Sequence, residues 1–176
     1  MKKFLALIMA AMMLLGVVSA LAEAGSPKPV TPTVKDEDEK TFFILHELGT
    51  KGQEYYDNLV AAENQLDVFT PEVQEAIKAA IGEDIIVNDM QGVTVVNWTE
   101  ADGPQALKIS FTTPYAPGDP VVAVLGYVKD GVAEFVLPAE VTADSEITMS
   151  WDSDMMAKGL EAAEMFYMIV SAPKAE

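Results

Sequence analysis

The stretch His46-Glu47-Leu48-Gly49-Thr50 differs at one position from the zinc-protease motif H-E-x-x-H. In that motif two histidines lie on one helix face and bind zinc, and the glutamate polarises the attacking water. Here Thr50 replaces the second histidine, and the chain has one histidine and no cysteine. A catalytic zinc site usually takes three protein ligands with nitrogen or sulfur among them. The sequence therefore predicts that His46 lies on the flank of a short amphipathic helix and binds no metal.

Two further patterns could carry chemistry. Ser171-Ala-Pro-Lys174 matches the S-x-x-K of penicillin-binding enzymes, but the chain lacks the partner motifs S-D-N and K-T-G, and proline stands where a helix is needed. Met165 and Met168 have a spacing that could bind copper(I). In a strand, residues three apart face opposite sides, so we expect these methionines to fill the core. We assign no catalytic, cofactor-binding or metal-ligating residue.

Acidic and aromatic residues suggest weaker possibilities. The 28 acidic residues could supply the paired carboxylates of a glycan hydrolase, but no pair stands out. Trp98 and Tyr115 could stack on sugar rings, although packing in the core or in turns is the expected role. Asn97-Trp98-Thr99 is a glycosylation sequon, which matters only in a eukaryotic secretory pathway. The run Asp36–Glu39 cannot wrap calcium as spaced ligands do, so weak calcium binding by the acidic surface is all we expect.

The first 22 residues read as a secretory signal peptide. Lys2 and Lys3 form the positive start, Phe4 to Val18 is continuously apolar, and small residues around Ala20 and Ala22 give the A-x-A cleavage pattern. We expect cleavage near Ala22 and a secreted, extracellular protein without stable membrane insertion. The absence of cysteine from an exported chain favours a bacterial source.

The charge of the chain limits its partners. Loss of Lys2 and Lys3 with the signal peptide takes the formal net charge from −17 to −19, and every basic residue is lysine. Such a surface repels the phosphates of nucleic acid and anionic lipid. An unknown extracellular protein or glycan is therefore the expected partner, and the acidic surface serves solubility.

Helical spacing dominates residues 41–83, after a linker at 23–40 that is rich in proline and acidic residues. A first short amphipathic stretch holds Phe42, Phe43, Leu45 and Leu48, and a second runs from Gln53 to Leu66. In the third, Thr70 is the cap, Pro71 takes the first turn and Gly82 ends the helix, with Val73, Ile77, Ala80 and Ile81 on one face. These helices are too short to be stable alone, so they must dock on other elements.

Alternation with period two replaces the helical spacing in residues 84–172. The Asp130-Gly131 dipeptide predicts a tight hairpin turn. A short helix capped by Asp152 or Ser153, with Met155, Met156 and Leu160 inward, precedes the last strand, and residues 173–176 form a tail. The predicted strands are Asp84–Asn88, Gly92–Trp98, Ala106–Thr113, Val121–Val128, Val132–Pro138, Glu146–Trp151 and Glu164–Ser171.

These elements predict an α+β fold. Short N-terminal helices precede an antiparallel, Ig-like β-sandwich of about seven strands, with one short helix before the last strand. No cysteine pair supports membership of the true Ig class.

The region from Phe111 to Ser171 resembles a family of small uncharacterised exported proteins of Gram-positive anaerobes. The resemblance rests on G-D-x-V-V-x-V-L-G at Gly118–Gly126 and on L-x-A-x-V-x-x-D-x-x-I-x-x-S/T-W/F at Leu137–Trp151. It covers about 60 residues. It implies an exported β domain preceded by a signal peptide and a helical segment, and it transfers no site residue.

Three functions stay open at this point. The leading hypothesis is a non-catalytic extracellular binding or interaction module, because no catalytic constellation accompanies the export signal. The first alternative is an extracellular hydrolase of the glycan type that uses paired carboxylates. The second is an envelope assembly or folding factor that docks its clients on the helices.

Overall fold

The computed structural model describes residues 41–111 and 115–173. The predicted signal peptide, the predicted linker with its acidic run, and Lys174 lie outside these residues. The described strands are β1 (Phe43–His46), β2 (Ile86–Val95), β3 (Gln105–Ser110), β4 (Val121–Val128), β5 (Val132–Leu137), β6 (Ala139–Ala143), β7 (Glu146–Trp151) and β8 (Glu164–Ser171). The helices are α1 (Thr50–Ala61), α2 (Pro71–Ile81) and α3 (Ser153–Glu161), with 3-10 turns at Gln65–Val68 and Glu100–Asp102.

Two antiparallel sheets face each other. The larger sheet has the strand order β1-β2-β8-β4-β5, and the smaller has the order β3-β7-β6. Apolar side chains from both sheets form one continuous cluster between them, and α1 and α2 cover the other face of the larger sheet. This arrangement confirms an α+β fold with a sandwich of antiparallel sheets. The described residues hold eight strands, where the sequence predicted about seven.

Strand β8 lies at the centre of the larger sheet and is buried on both faces. Met165, Tyr167 and Ile169 point into the layer between the sheets, while Phe166, Met168 and Val170 point toward the helices. None of these six side chains is more than 2% exposed. β8 is therefore the strand against which both other layers pack, which explains why the run Met165–Val170 is apolar on both faces.

The first predicted helix is a strand. Phe43 and Leu45 of β1 pair with Val95 and Val93 of β2 and point into the layer between the sheets. The ring of Phe43 lies 5.0 Å from the ring of Trp151. The spacing of the apolar residues fits either a helix or a strand here. The strand forms because it pairs with the edge of β2 and packs Phe43 against Trp151.

The other two helices predicted for residues 41–83 are present, with small differences from the prediction. Helix α1 begins at Thr50 and ends at Ala61, so it starts earlier and ends sooner than predicted. Helix α2 follows Thr70, begins at Pro71, buries Val73 and Ile77 and stops at Gly82, whose φ is 100°. The prediction that Ala80 faces the core is wrong, because Ala80 is exposed.

The predicted short helix before the last strand is α3. Asp152 caps it by accepting a hydrogen bond from the backbone N–H of Met155 at 2.8 Å. Met156 is fully buried, but Leu160 is 48% exposed, so its predicted inward position is wrong. Gly159 allows the helix to approach β2, because a Cβ at that position would collide with Val95.

Glu164, the first residue of β8, also holds the start of α1. Its carboxylate accepts hydrogen bonds from the backbone N–H groups of Lys51 at 3.1 Å and Gly52 at 2.6 Å. A Cβ on Gly49 would lie 2.5 Å from the Glu164 carboxyl carbon, so glycine gives the carboxylate its space. The first N–H groups of a helix have no partner within the helix, and a negative charge there is favourable. One side chain thus joins the helical layer to the central strand.

Substitution of Glu164 by alanine should destabilise the protein. We expect Glu164→Ala to lower the free energy of unfolding in urea by about 1 kcal/mol, the usual cost of a lost helix cap. Glu161→Ala is the matched control, because its carboxylate makes only an exposed ion pair with Lys129, at 2.5 Å. The control should unfold almost as the unsubstituted protein does. Equal loss of stability in the two variants would contradict the capping role.

Candidate functional site

His46 occupies the end of β1 and does not belong to a helix. Its ring lies over Gly92, the residue opposite it on β2. Nδ1 lies 2.7 Å from the carbonyl oxygen of Glu47, and Nε2 lies 2.9 Å from the hydroxyl of Thr94. Both ring nitrogens therefore have protein partners. In residues 41–111 and 115–173 no three His, Asp or Glu side chains converge into a group that could hold a metal ion.

The other residues that the sequence suggested as candidates for chemistry pack in the core or make hydrogen bonds within the protein. Met165 and Met168 lie on opposite faces of β8, as the strand geometry predicted. The hydroxyl of Ser171 contacts the side-chain amide of Asn88 at 2.6 Å. Trp98 is buried and donates its indole N–H to the carbonyl of Gly103 at 2.7 Å. Tyr115 is 3% exposed and packs on Phe111, so neither aromatic ring offers a sugar-stacking surface.

A β-bulge in β2 turns a carboxylate into the layer between the sheets. The predicted strands at 84–88 and 92–98 are one strand, Ile86–Val95. Val87 pairs with Val170 and Asp89 with Ile169, so Asn88 is the extra residue. Because Val170 points to the helices and Ile169 points between the sheets, the extra residue moves Asp89 onto the inner face.

Asp89 lies among phenols and an amide. The hydroxyl of Tyr167 donates to Gln91 Oε1 at 3.1 Å, and it also lies close enough to Asp89 to lower the pKa of that carboxyl. A phenol has one proton, so it can donate to only one of these acceptors at a time. Asp89 Oδ2 is buried without a hydrogen-bond partner among the described residues. Burial raises the pKa values of Tyr115 and Tyr167, and the charge of Asp89 raises them further.

Burial raises the pKa of the Asp89 carboxyl to about 6, against the smaller opposing effect of its hydrogen bonds to Tyr167 and the Met90 backbone. The sequence did not reveal this group, because Asp89 lies in the gap between the predicted strands at 84–88 and 92–98. A signal was present: two consecutive polar residues, Asn88 and Asp89, break the alternation of apolar and polar residues, which is how a bulge can look in a sequence. The group is chemically distinctive, but it lies inside the sandwich.

An open cleft lies at the end of the sandwich where β7 leads into α3. Its volume is about 390 Å³. Its walls come from the start of β3, the end of β7, the link from β5 to β6, and the first turn of α3. The lining residues are Pro104, Gln105, Ala106, Pro138, Ser150, Trp151, Asp152 and Met155. The cleft therefore combines apolar walls with a small number of polar groups, as ligand sites commonly do.

Trp151 is among the lining residues, but its indole donor is not exposed in the cleft. The residue is fully buried, and its indole Nε1 has no hydrogen-bond partner in the described part of the chain. At the rim, the amide nitrogen of Gln105 donates to the carbonyl of Asp102 at 2.8 Å, and this bond orients the Gln105 oxygen. The sequence could not show this cleft, because its residues lie far apart in the chain and meet only in the fold.

Comparisons with protein-family models, with curated proteins and with solved structures gave no match. Among the described residues, the helices are all too short or too polar to cross a membrane.

The raised pKa of Asp89 predicts a pH dependence of stability. In the unfolded chain the carboxyl titrates near its ordinary value, so the folded state holds its proton more tightly. The stabilisation is complete below about pH 4 and is lost as the pH rises through about 6. Its size is at most about 3 kcal/mol.

Urea unfolding of the unsubstituted protein and of Asp89→Asn between pH 4 and pH 8 would measure this contribution. The free energy of unfolding should rise more steeply on acidification in the unsubstituted protein than in Asp89→Asn. The variant should be the more stable of the two at pH 8. Parallel curves would show that Asp89 titrates as an ordinary exposed carboxyl.

Proposed function

We propose that this protein is an exported, non-catalytic binding or interaction module that acts outside a bacterial cell. The observation that carries the proposal is the cleft at the end of the sandwich. It opens to solvent and presents apolar and hydrogen-bonding groups together, with one carboxylate, Asp152, among its lining residues. Asp89, whose carboxyl has a pKa raised to about 6 by burial, lies elsewhere, in the layer between the sheets.

Sequence features support the location and the class of partner. The signal-peptide pattern with cleavage near Ala22 supports secretion, and the net charge of −17 supports a soluble acidic protein that avoids nucleic acid. Extracellular protein or glycan remains the proposed partner. The two antiparallel sheets support an Ig-like outline and the resemblance to small exported proteins of Gram-positive anaerobes, and we keep both as proposals.

A hydrolase of the glycan type is the second candidate, and one observation favours it. Asp89 has the raised pKa that a general acid needs. A retaining hydrolase would also need a second carboxylate about 5 Å away in a cleft. Among the described residues, the polar groups near Asp89 are instead the phenols of Tyr115 and Tyr167 and, beyond Tyr167, the amide of Gln91.

An envelope assembly factor is the third candidate. It would use a helical segment that is mobile or partly undocked. Leu59 of α1 and Val73 and Ile77 of α2 are instead buried in one cluster with Phe166 and Met168 of β8. This docking favours the binding module over the assembly factor.

The binding proposal is tested by retention on immobilised protein. Residues 23–176 are exposed to envelope fragments and spent medium of a Gram-positive anaerobe, with and without calcium. We expect specific retention of one protein or glycan, identified by mass spectrometry. Retention should be lost in Ala106→Arg, which fills the cleft from an exposed position on β3.

Ser110→Arg is the matched control, because Ser110 is exposed near the other end of β3 and does not line the cleft. Retention that is equal in both variants would contradict binding through the cleft. Shortened glycans in the medium without retention would replace the proposal by the hydrolase, and retention only with calcium would assign the metal a role in binding.

A further inference from the structure

We infer that Asp89 is a proton-operated switch, whose charge decides whether the phenol of Tyr167 donates its hydrogen bond to Gln91 or to Asp89. The inference goes beyond the proposed binding function and does not depend on it. The three side chains lie on the inner face of the larger sheet, on the neighbouring strands β2 and β8. The switch transfers one hydrogen bond between two acceptors and leaves the fold intact.

Strand pairing places one phenol between two acceptors. Gln91 lies directly opposite Tyr167 in the pairing of β2 with β8, and Asp89, two residues before Gln91, lies on the same face of β2. The hydroxyl of Tyr167 lies 3.1 Å from Gln91 Oε1, and it is also close enough to hydrogen-bond the Asp89 carboxylate. Because the phenol has a single proton, it can donate to only one of them.

The charge of Asp89 determines which acceptor receives this proton. When the carboxyl is neutral, the phenol donates to the amide oxygen of Gln91. A hydrogen bond to an ionised group is roughly twice as strong as one between neutral groups, so an ionised Asp89 takes the phenol away from Gln91. The Gln91 side chain is partly exposed, and its released amide can bond to water. The state of Asp89 is thereby transmitted through a buried ring to the surface of the protein.

No countercharge in the described part of the chain faces Asp89. Tyr167 faces it from β8, and Tyr115 faces it from the segment before β4, with Asp119 beyond that phenol. The charged side chains of the smaller sheet lie on its outer face, away from this layer; they are Lys108, Glu140 and Glu146. An ionised Asp89 therefore depends on the phenol of Tyr167 for its stabilisation.

Burial places the switch near neutral pH. It raises the pKa of the Asp89 carboxyl to about 6, against the smaller opposing effect of the hydrogen bonds from Tyr167 and the Met90 backbone. The neutral state therefore dominates below about pH 6 and the charged state above it. Oδ2 has no accessible surface, but Asp89 as a whole is partly exposed, so a proton can enter without unfolding of the protein.

The test follows side chains of residues 23–176 by NMR between pH 4 and pH 8. We expect the carboxyl carbon of Asp89 to titrate near pH 6. The side-chain amide resonances of Gln91 should shift with the same midpoint. The side-chain amide of Gln74 is the control, because it donates to the carbonyl of Phe69 and should not move with Asp89.

Two variants separate the parts of the switch. Tyr167→Phe keeps the buried ring and removes the hydroxyl, so Asp89 should still titrate while the shift of Gln91 is lost. Tyr127→Phe, which removes the hydroxyl of a tyrosine near the other end of the larger sheet, should keep the shift. Asp89→Asn holds the carboxyl position neutral, so the Gln91 amide should give the same resonances at pH 4 and pH 8.

Three results would overturn the inference. The Gln91 amide could keep its resonances while Asp89 titrates, it could shift as much in Tyr167→Phe as in the unsubstituted protein, or Asp89 could titrate near pH 4 as an exposed carboxyl does. If Tyr167→Phe does not fold, Asp89→Asn decides alone. A Gln91 shift that persists in Asp89→Asn would show that another group moves this amide.

Discussion

The structure depends on one constraint, which is that β8 must bury both of its faces. The residues on both faces of the strand are apolar, so the strand is stable only when another layer covers each face. The helices α1 and α2 supply one layer and the small sheet supplies the other. Glu164 then links the start of this strand to the start of α1. The helical layer and the larger sheet are thereby joined both by apolar packing and by the hydrogen bonds of Glu164.

The same constraint explains why the bulge in β2 has chemical consequences. Pairing with β8 fixes which residues of β2 face each layer, so one extra residue transfers Asp89 from the helical face to the layer between the sheets. Burial of a carboxylate is unfavourable unless it is protonated or well paired. Hydrogen bonds from the phenol of Tyr167 on β8 and from the Met90 backbone reduce this cost, but only in part, because burial still raises the pKa of Asp89 to about 6.

The sequence predicted the elements whose own residues determine them. Strands β4, β7 and β8 and helix α2 have the predicted bounds, because alternation, proline and glycine mark them locally. β1 was assigned to a helix because its pairing with β2 is a tertiary interaction. β6 was not among the predicted strands, because Val141 is the only buried residue of its five and the segment therefore carries little apolar pattern of its own. The cleft could not be predicted at all, since Gln105 and Trp151 meet only through the pairing of β3 with β7, strands that lie far apart in the chain.

Native-state hydrogen exchange measured residue by residue tests most directly whether β8 unites the three layers. We expect the amides of β8 and the buried amides of α2 to exchange with the same free energy of opening, equal to that of global unfolding. The helices would then open only when the sandwich opens. If α1 and α2 exchange at a clearly lower free energy than β8, the helices form a separate unit. The account of β8 as the common support would then be wrong.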